Sequence, residues 1–294
     1  MKVVRSKVIG YCFGVANTIE KAGECIEEAR KENLPCYSIG ALIHNKDVVG
    51  QFSAQGMKNS ESPQGLEPGI ALVRAHGIPE KLRREYAAAG FRVVDSTCPI
   101  VAKGAATLRK AAQKGCNTII IGIKGHAEAI GLMGVELPDG TPVNSRLIGS
   151  MDDARRLTES GQLASDAEII VVVQTTFPIK EFQAIRRYLK TCFSRIRFSN
   201  SPCGATETRG KAAVELASQT DAVIVIGGMN SENTKGLAQL VADTGKPVFR
   251  IENDKDLDDG LLAKLSGFSS IGICSGSSTP TATIRAVEEI LEKI

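Results

Sequence analysis

The stretch CPIVAKGAATLRKAAQKGCNTIIIGIKGHAE, residues 98–128, decides the fold. It runs from a cysteine through a helix-forming stretch and a β-branched run to a glycine and a polar cluster. Cys98 stands where a strand (FRVVDST) ends and a helix begins. A thiol there faces the positive end of the helix dipole, which lowers its pKa and favours thiolate. Taken alone, Cys98 fits a nucleophile, half of a disulfide, a metal ligand or a small buried residue. The same order recurs from Cys12 (CFGVANTIEKAGECIEEARKENLPCYSIGALIHN) and from Cys203 (CGATETRGKAAVELASQTDAVIVIGGMNSEN). The cysteine reaches its polar cluster after 32 residues at His44, 28 at His126 and 27 at Asn230.

The second half of each unit repeats as well. ALVRAHGIPEKL, VVVQTTFPIKEF and GICSGSSTPTATI each give a strand, a polar residue and a proline. Pro79, Pro178 and Pro280 suit helix starts. Short apolar runs (VIG, CYSIGAL, GIALVRA, FRVVDST, NTIIIGI, EIIVVVQ, DAVIVIGG, SSIGICSG) alternate with stretches of helical period, from IEKAGECIEEARKE to IRAVEEILEKI. That alternation predicts α/β units built on mostly parallel sheets. The expected architecture is three similar α/β domains in a pseudo-threefold trefoil. They would span residues 1–97 (with the amino-terminal strand), 98–202 and 203–294. Ligands of open parallel sheets bind at the carboxyl ends of strands, so the three cysteines and six strand-end loops would share one centre.

Composition bounds the function. The chain has 294 residues, 43% hydrophobic and 23% charged, with a net charge of +3. These values describe a globular protein with no electrostatic footprint for nucleic acid or an anionic membrane. No apolar run approaches the roughly 18 residues of a membrane span, and MKVVRSKVIG lacks a signal-peptide core, so a cytoplasmic location is expected. Eight cysteines in a reducing compartment are not expected to form disulfides, and no CxxC is present.

Three matched thiolates have few uses. They would complete a structural zinc site with a histidine, or hold an iron–sulfur cubane in which one iron lacks a protein thiolate. Such an iron acts as a Lewis acid toward a substrate oxygen. All three histidines of the chain (His44, His76, His126) fall in strand-end loops. Asn230, Ser231, Asn233, Ser277, Ser278, Thr175 and Thr176 add hydrogen-bond donors there, a set suited to a phosphate or diphosphate. There is no Walker loop and no GxGxxG in strand–helix context, so nucleotides are not indicated. Glu128, two residues after His126, is placed for proton delivery if its pKa is raised.

GYCFGV, IHN, RAHG, VDSTCP, GHAE, VQTT, CGATETR, GGMNSEN and SGSSTP together resemble the 4-hydroxy-3-methylbut-2-enyl diphosphate reductases, the IspH/LytB family. The match runs in order along nearly the whole chain. The resemblance implies a [4Fe–4S] cluster at the centre of the trefoil, ligated by Cys12, Cys98 and Cys203. It implies diphosphate contacts from His44, His76, Ser231, Asn233 and Ser278, with His126 close by, in a substrate pocket that extends to Asn230, Glu232 and Thr175. Glu128 would deliver protons, assisted by Thr175. The implied reaction removes the hydroxyl of the allylic diphosphate as water, using two electrons from ferredoxin or flavodoxin. Isopentenyl and dimethylallyl diphosphates result, ending the methylerythritol phosphate route. The chain departs from the family pattern at Glu232, where a small or hydroxyl residue is usual, and at Thr208 and Gly210. A carboxylate beside a diphosphate is repulsive unless it points away or is protonated. Two alternatives remain: another three-cysteine cluster enzyme, such as a quinolinate-synthase-like lyase, and a non-catalytic iron–sulfur or zinc protein acting as a redox sensor.

Overall fold

The computed structural model describes every residue except Ser201. The described strands are β1 (Lys2–Arg5), β2 (Cys36–Ile39), β3 (Met57–Ser60), β4 (Ile70–Val73), β5 (Arg92–Asp95), β6 (Asn117–Ile121), β7 (Ser145–Ile148), β8 (Ile169–Val173), β9 (Ile196–Phe198), β10 (Ala222–Ile226), β11 (Val248–Ile251) and β12 (Ser270–Ser275). They form three four-stranded sheets, ordered β3-β2-β4-β5, β7-β6-β8-β9 and β11-β10-β12-β1. Every pairing is parallel, and helices alternate with strands, giving the expected α/β class.

The three sheets follow one plan. In each, the strand after the cysteine-led helix lies second, its successor takes the outer edge, and the next strand crosses back to third place; in the first two sheets the strand after that closes the other edge. The third sheet obtains its last strand from the amino terminus: Val3 pairs with Ile271 and Arg5 with Ile273. The expectation grouped this strand with the first lobe. It instead completes the sheet of the third repeat. The apolar VIG run at residues 8–10 lies past β1 and forms no strand. The alternation of side chains explains the all-apolar central strands. In β6, Ile119 and Ile121 enter a core with Phe177, Phe182 and Ile185, while Ile120 packs on the opposite face with Leu108, Leu132 and Val172. In β10, Ile224 and Ile226 face one core and Val223 and Val225 the other. Both faces of a parallel sheet are covered, so both side-chain sets are apolar.

By packing, the chain divides into two compact units. One comprises Met1–Ala16, Ile43–Gln51 and Gly204–Ile294; the other comprises Asn17–Leu42 and Phe52–Cys203. The first carries the sheet β11-β10-β12-β1, and the second carries the other two sheets. Among the described residues, no helix is long and apolar enough to cross a membrane.

Candidate active site

Each of the three repeat cysteines is anchored in the same way. Cys98 N donates to Ala75 O at 2.9 Å, Cys203 N to Thr175 O at 2.8 Å, and Cys12 N to Ser277 O at 3.2 Å. In every case the acceptor is the second residue past the third strand of a sheet: β4, β8 and β12. A helix begins at the next residue, over Pro99–Gln113, Gly204–Ser218 and Phe13–Glu32 respectively. Three thiols thus share one local setting, a strand-end carbonyl on one side and a helix amino terminus on the other. All three are partly exposed, and no disulfide joins any cysteine among the described residues. Cys25, Cys36 and Cys274 differ. Burial pushes their thiols up to about 11, 12 and 12, which keeps them neutral.

The segment before Cys98 is tied down by its own side chains. Asp95 Oδ1 accepts from Thr97 N at 2.8 Å and Thr97 Oγ1 at 2.6 Å, and Asp95 pairs with Arg83 at 2.9 Å. A serine directly follows the fourth strand of each sheet: Ser6, Ser96 and Ser199. Each donates its amide back to the neighbouring third strand, at Ile273 O, Val73 O and Val171 O. The sequence reading missed this serine, although it repeats as regularly as the cysteine.

Glu128 lies in the first turn of the helix Ala127–Met133, which His126 caps by accepting from Glu128 N through Nδ1 at 3.1 Å. That bond leaves Nε2 to carry the proton of a neutral His126. The rings of His76 and His126 stand edge to face, 5.5 Å between centroids. Glu128 is only 1% exposed. Its Oε1 accepts from Thr175 N at 2.7 Å and its Oε2 from Thr175 Oγ1 at 2.6 Å. Burial raises its pKa to about 7, partly opposed by these two bonds, which favour the anion. Glu128 therefore exchanges a proton near neutrality, as a general acid requires. Thr175 is pivotal: one residue holds both carboxylate oxygens and accepts the amide of Cys203.

This raised pKa has a stability consequence. Between the ordinary value of 4.5 and the folded value of about 7, the folded chain holds a proton that the unfolded chain releases. The stabilisation is complete below the ordinary value and is lost as pH rises through the folded one. Unfolding free energy should therefore fall by about 3 kcal/mol across that interval. Denaturant titrations at successive pH values measure this slope, and Glu128→Gln should flatten it.

In the other compact unit, Ser231 caps the helix Glu232–Ala242, its Oγ accepting from Thr234 N at 3.3 Å. Asn233 Oδ1 accepts from Ser277 N at 2.9 Å, which joins the GGMNSEN loop to the SGSSTP loop beside Ser278. Ser231, Asn233 and Ser278 are all buried, whereas Asn230 is exposed. Gly228 explains the glycine pair before them. A Cβ there would stand 2.2 Å from His44 O, so only glycine lets the His44 loop approach. His44 precedes Asn45, which caps the helix Lys46–Ala54 by accepting from Val48 N at 3.1 Å. Glu232 forms an ion pair with Lys235 Nζ at 2.7 Å.

The family model for the LytB protein matches residues 3–292. The chain belongs to the LytB family. Curated relatives named 4-hydroxy-3-methylbut-2-enyl diphosphate reductase match over its full length. That of Solidesulfovibrio magneticus is 32% identical, covering 99% of this chain and 99% of the relative. That of Clostridioides difficile is 32% identical and covers 100% of both. Among solved structures, the E-1-hydroxy-2-methyl-but-2-enyl-4-diphosphate reductase from Plasmodium falciparum superposes with a TM-score of 0.88 at 25% identity, over 99% of this chain and 87% of that one. A second, described as the terminal enzyme of the non-mevalonate pathway, gives 0.72 at 25% identity with full coverage of both.

In this LytB chain, two residues within the quoted motifs carry structural work that the sequence reading did not assign. Gln174, fully buried, accepts from Ile123 N through Oε1 at 2.8 Å and donates through Nε2 to Thr176 Oγ1 at 2.9 Å, fixing the loop that leads to His126. Arg209 is buried on the helix Gly204–Ser218. The VQTT and CGATETR motifs marked both positions without revealing their contacts.

Proposed function

We propose that this LytB chain removes the hydroxyl group of (E)-4-hydroxy-3-methylbut-2-enyl diphosphate, forming isopentenyl and dimethylallyl diphosphates at the end of the methylerythritol phosphate route. The observation that carries the reading is the Glu128–Thr175 pair, a buried carboxyl with a pKa of about 7 on the residue that also receives the Cys203 amide. Replacing a C–OH by C–H consumes two electrons and two protons and releases one water, so a proton donor active near neutrality is required. Glu128 meets that need. Thr175 Oγ1 donates to the carboxylate after proton transfer and steadies the anion it leaves.

Cys12, Cys98 and Cys203 are proposed to hold a [4Fe–4S] cluster. The donor set fits: three thiols in matching settings, none in a disulfide, set apart from the buried neutral ones. When bound, that group supplies the two electrons one at a time and an iron lacking a protein thiolate for the substrate oxygen. Ferredoxin or flavodoxin is the proposed source of electrons. His44, His76, Ser231, Asn233 and Ser278 are proposed to bind the diphosphate, with His126, Asn230 and Thr175 completing the substrate pocket. The lobes are proposed to begin near Cys12, Cys98 and Cys203.

Glu232 is compatible with this assignment because Lys235 neutralises it. Lys235→Met should therefore raise KM for the diphosphate several-fold with kcat little changed, and Glu232→Ser in the same chain should restore it. Steady-state kinetics of the two variants check this. The function itself is tested by incubating anaerobically purified protein with a chemical reductant and the allylic diphosphate. Formation of the two five-carbon diphosphates is expected; unconsumed substrate in the presence of iron-loaded protein would refute the assignment.

A further inference from the structure

Arg209 is a buried cation with no anion. Only 3% of it is exposed. Its Nη1 donates to Ser275 O and its Nη2 to Gly10 O, each at 2.8 Å, and its Nε has no partner among the described residues. No described carboxylate pairs with it. A guanidinium remains charged even where burial lowers its pKa. An unmatched charge in such a place costs folding free energy.

The thiols of Cys12 and Cys274 are near enough to favour its charged form. Cys274 lies on β12 with a thiol pushed up to about 12, and it is neutral. Cys12 remains. Arg209 is fastened to the segment that carries Cys12: it grips Gly10 O, two residues earlier, while Gly10 N donates to Ser275 Oγ at 2.9 Å and Cys12 N to Ser277 O. One planar side chain thus ties the Gly10–Cys12 segment to the carboxyl end of β12 and brings a positive charge there.

We infer that Arg209 is the built-in counter-charge of the anionic group held at Cys12, and a positioning residue that sets that group's reduction potential. The inference rests on the cluster reading given above. Reduction adds negative charge, and a fixed cation in a low-dielectric setting favours the reduced state. Arg209 therefore makes the group easier to reduce. Lysine preserves the charge but cannot bridge two carbonyls with a planar fork.

The test compares anaerobically loaded wild-type protein, Arg209→Gln and Arg209→Lys, by redox titration followed with electron paramagnetic resonance, alongside iron content and melting temperature. Arg209→Gln should move the midpoint potential to more negative values. Arg209→Lys should keep it close to wild type while melting at a lower temperature. Loss of iron from folded Arg209→Gln but not from Arg209→Lys also supports the counter-charge. An unchanged midpoint in Arg209→Gln, or equal shifts in both variants, overturns it. If Arg209→Gln does not fold, Arg209→Lys decides: a retained midpoint supports the inference and a displaced one overturns it. A wild-type chain that binds no iron overturns the cluster reading itself, which the iron assay reveals before any variant is compared.

Discussion

Glu128→Gln should lower kcat by roughly 10²–10⁴-fold, the range a positioned general acid contributes, with iron content unchanged. The substitution keeps the shape of the side chain but removes the buried carboxyl that exchanges a proton near neutrality. Glutamine still accepts from Thr175 through its carbonyl oxygen, so the loop remains in place. The wild type should also lose activity as pH rises above about 7, because the acid form of Glu128 is then depleted. The variant's residual activity should lack that limb. Single-turnover measurements with pre-reduced protein isolate the step from electron delivery. An unaltered rate in Glu128→Gln would remove Glu128 from the mechanism.

Removal of any one repeat thiol should have the largest effect. Cys12→Ala, Cys98→Ala and Cys203→Ala are each expected to lose most bound iron and to reduce turnover to background. Cys116→Ala and Cys192→Ala, also partly exposed, should retain both. Exposure therefore does not separate the two groups. What separates them is the strand-end carbonyl that receives each repeat cysteine's amide, with a helix starting at the next residue. Iron analysis after anaerobic purification checks this. Full iron loading in Cys98→Ala, or its loss in Cys116→Ala, would refute the assignment.

The repeat was legible because the same physical demands recur three times. Every strand interior to its sheet was found, since cover on both faces leaves a continuous apolar run, as in β6 and β10. The outer strands β3, β7, β9 and β11 were not. Their sequences (MKNS, SRLI, IRF, VFRI) mix polar with apolar residues because one side of an edge strand meets fewer neighbours. The amino-terminal strand joins the sheet of the third repeat, against expectation, for another reason. Chain proximity favours the nearest repeat, and nothing local in KVVR announces a partner some 270 residues away.

The candidate site was legible at the level of residue type and opaque at the level of contact. Pattern alone marked Glu128 and Thr175, but their pairing spans 47 positions and depends on how β6 and β8 lie side by side. Pro79, Pro178 and Pro280 each stand immediately before the first helical residue. Glu232 looked hostile to a diphosphate in the sequence. Its pairing with Lys235, one helical turn away, is a contact that the sequence did not announce.

The most direct test of the central claim is the Mössbauer spectrum of iron-57-loaded protein, recorded with and without the allylic diphosphate. One iron of the four in a three-cysteine cubane lacks a protein thiolate. The account predicts that the signal of this iron alone shifts when substrate is added. Four irons that all keep the signature of thiolate ligation, unmoved by substrate, would contradict it.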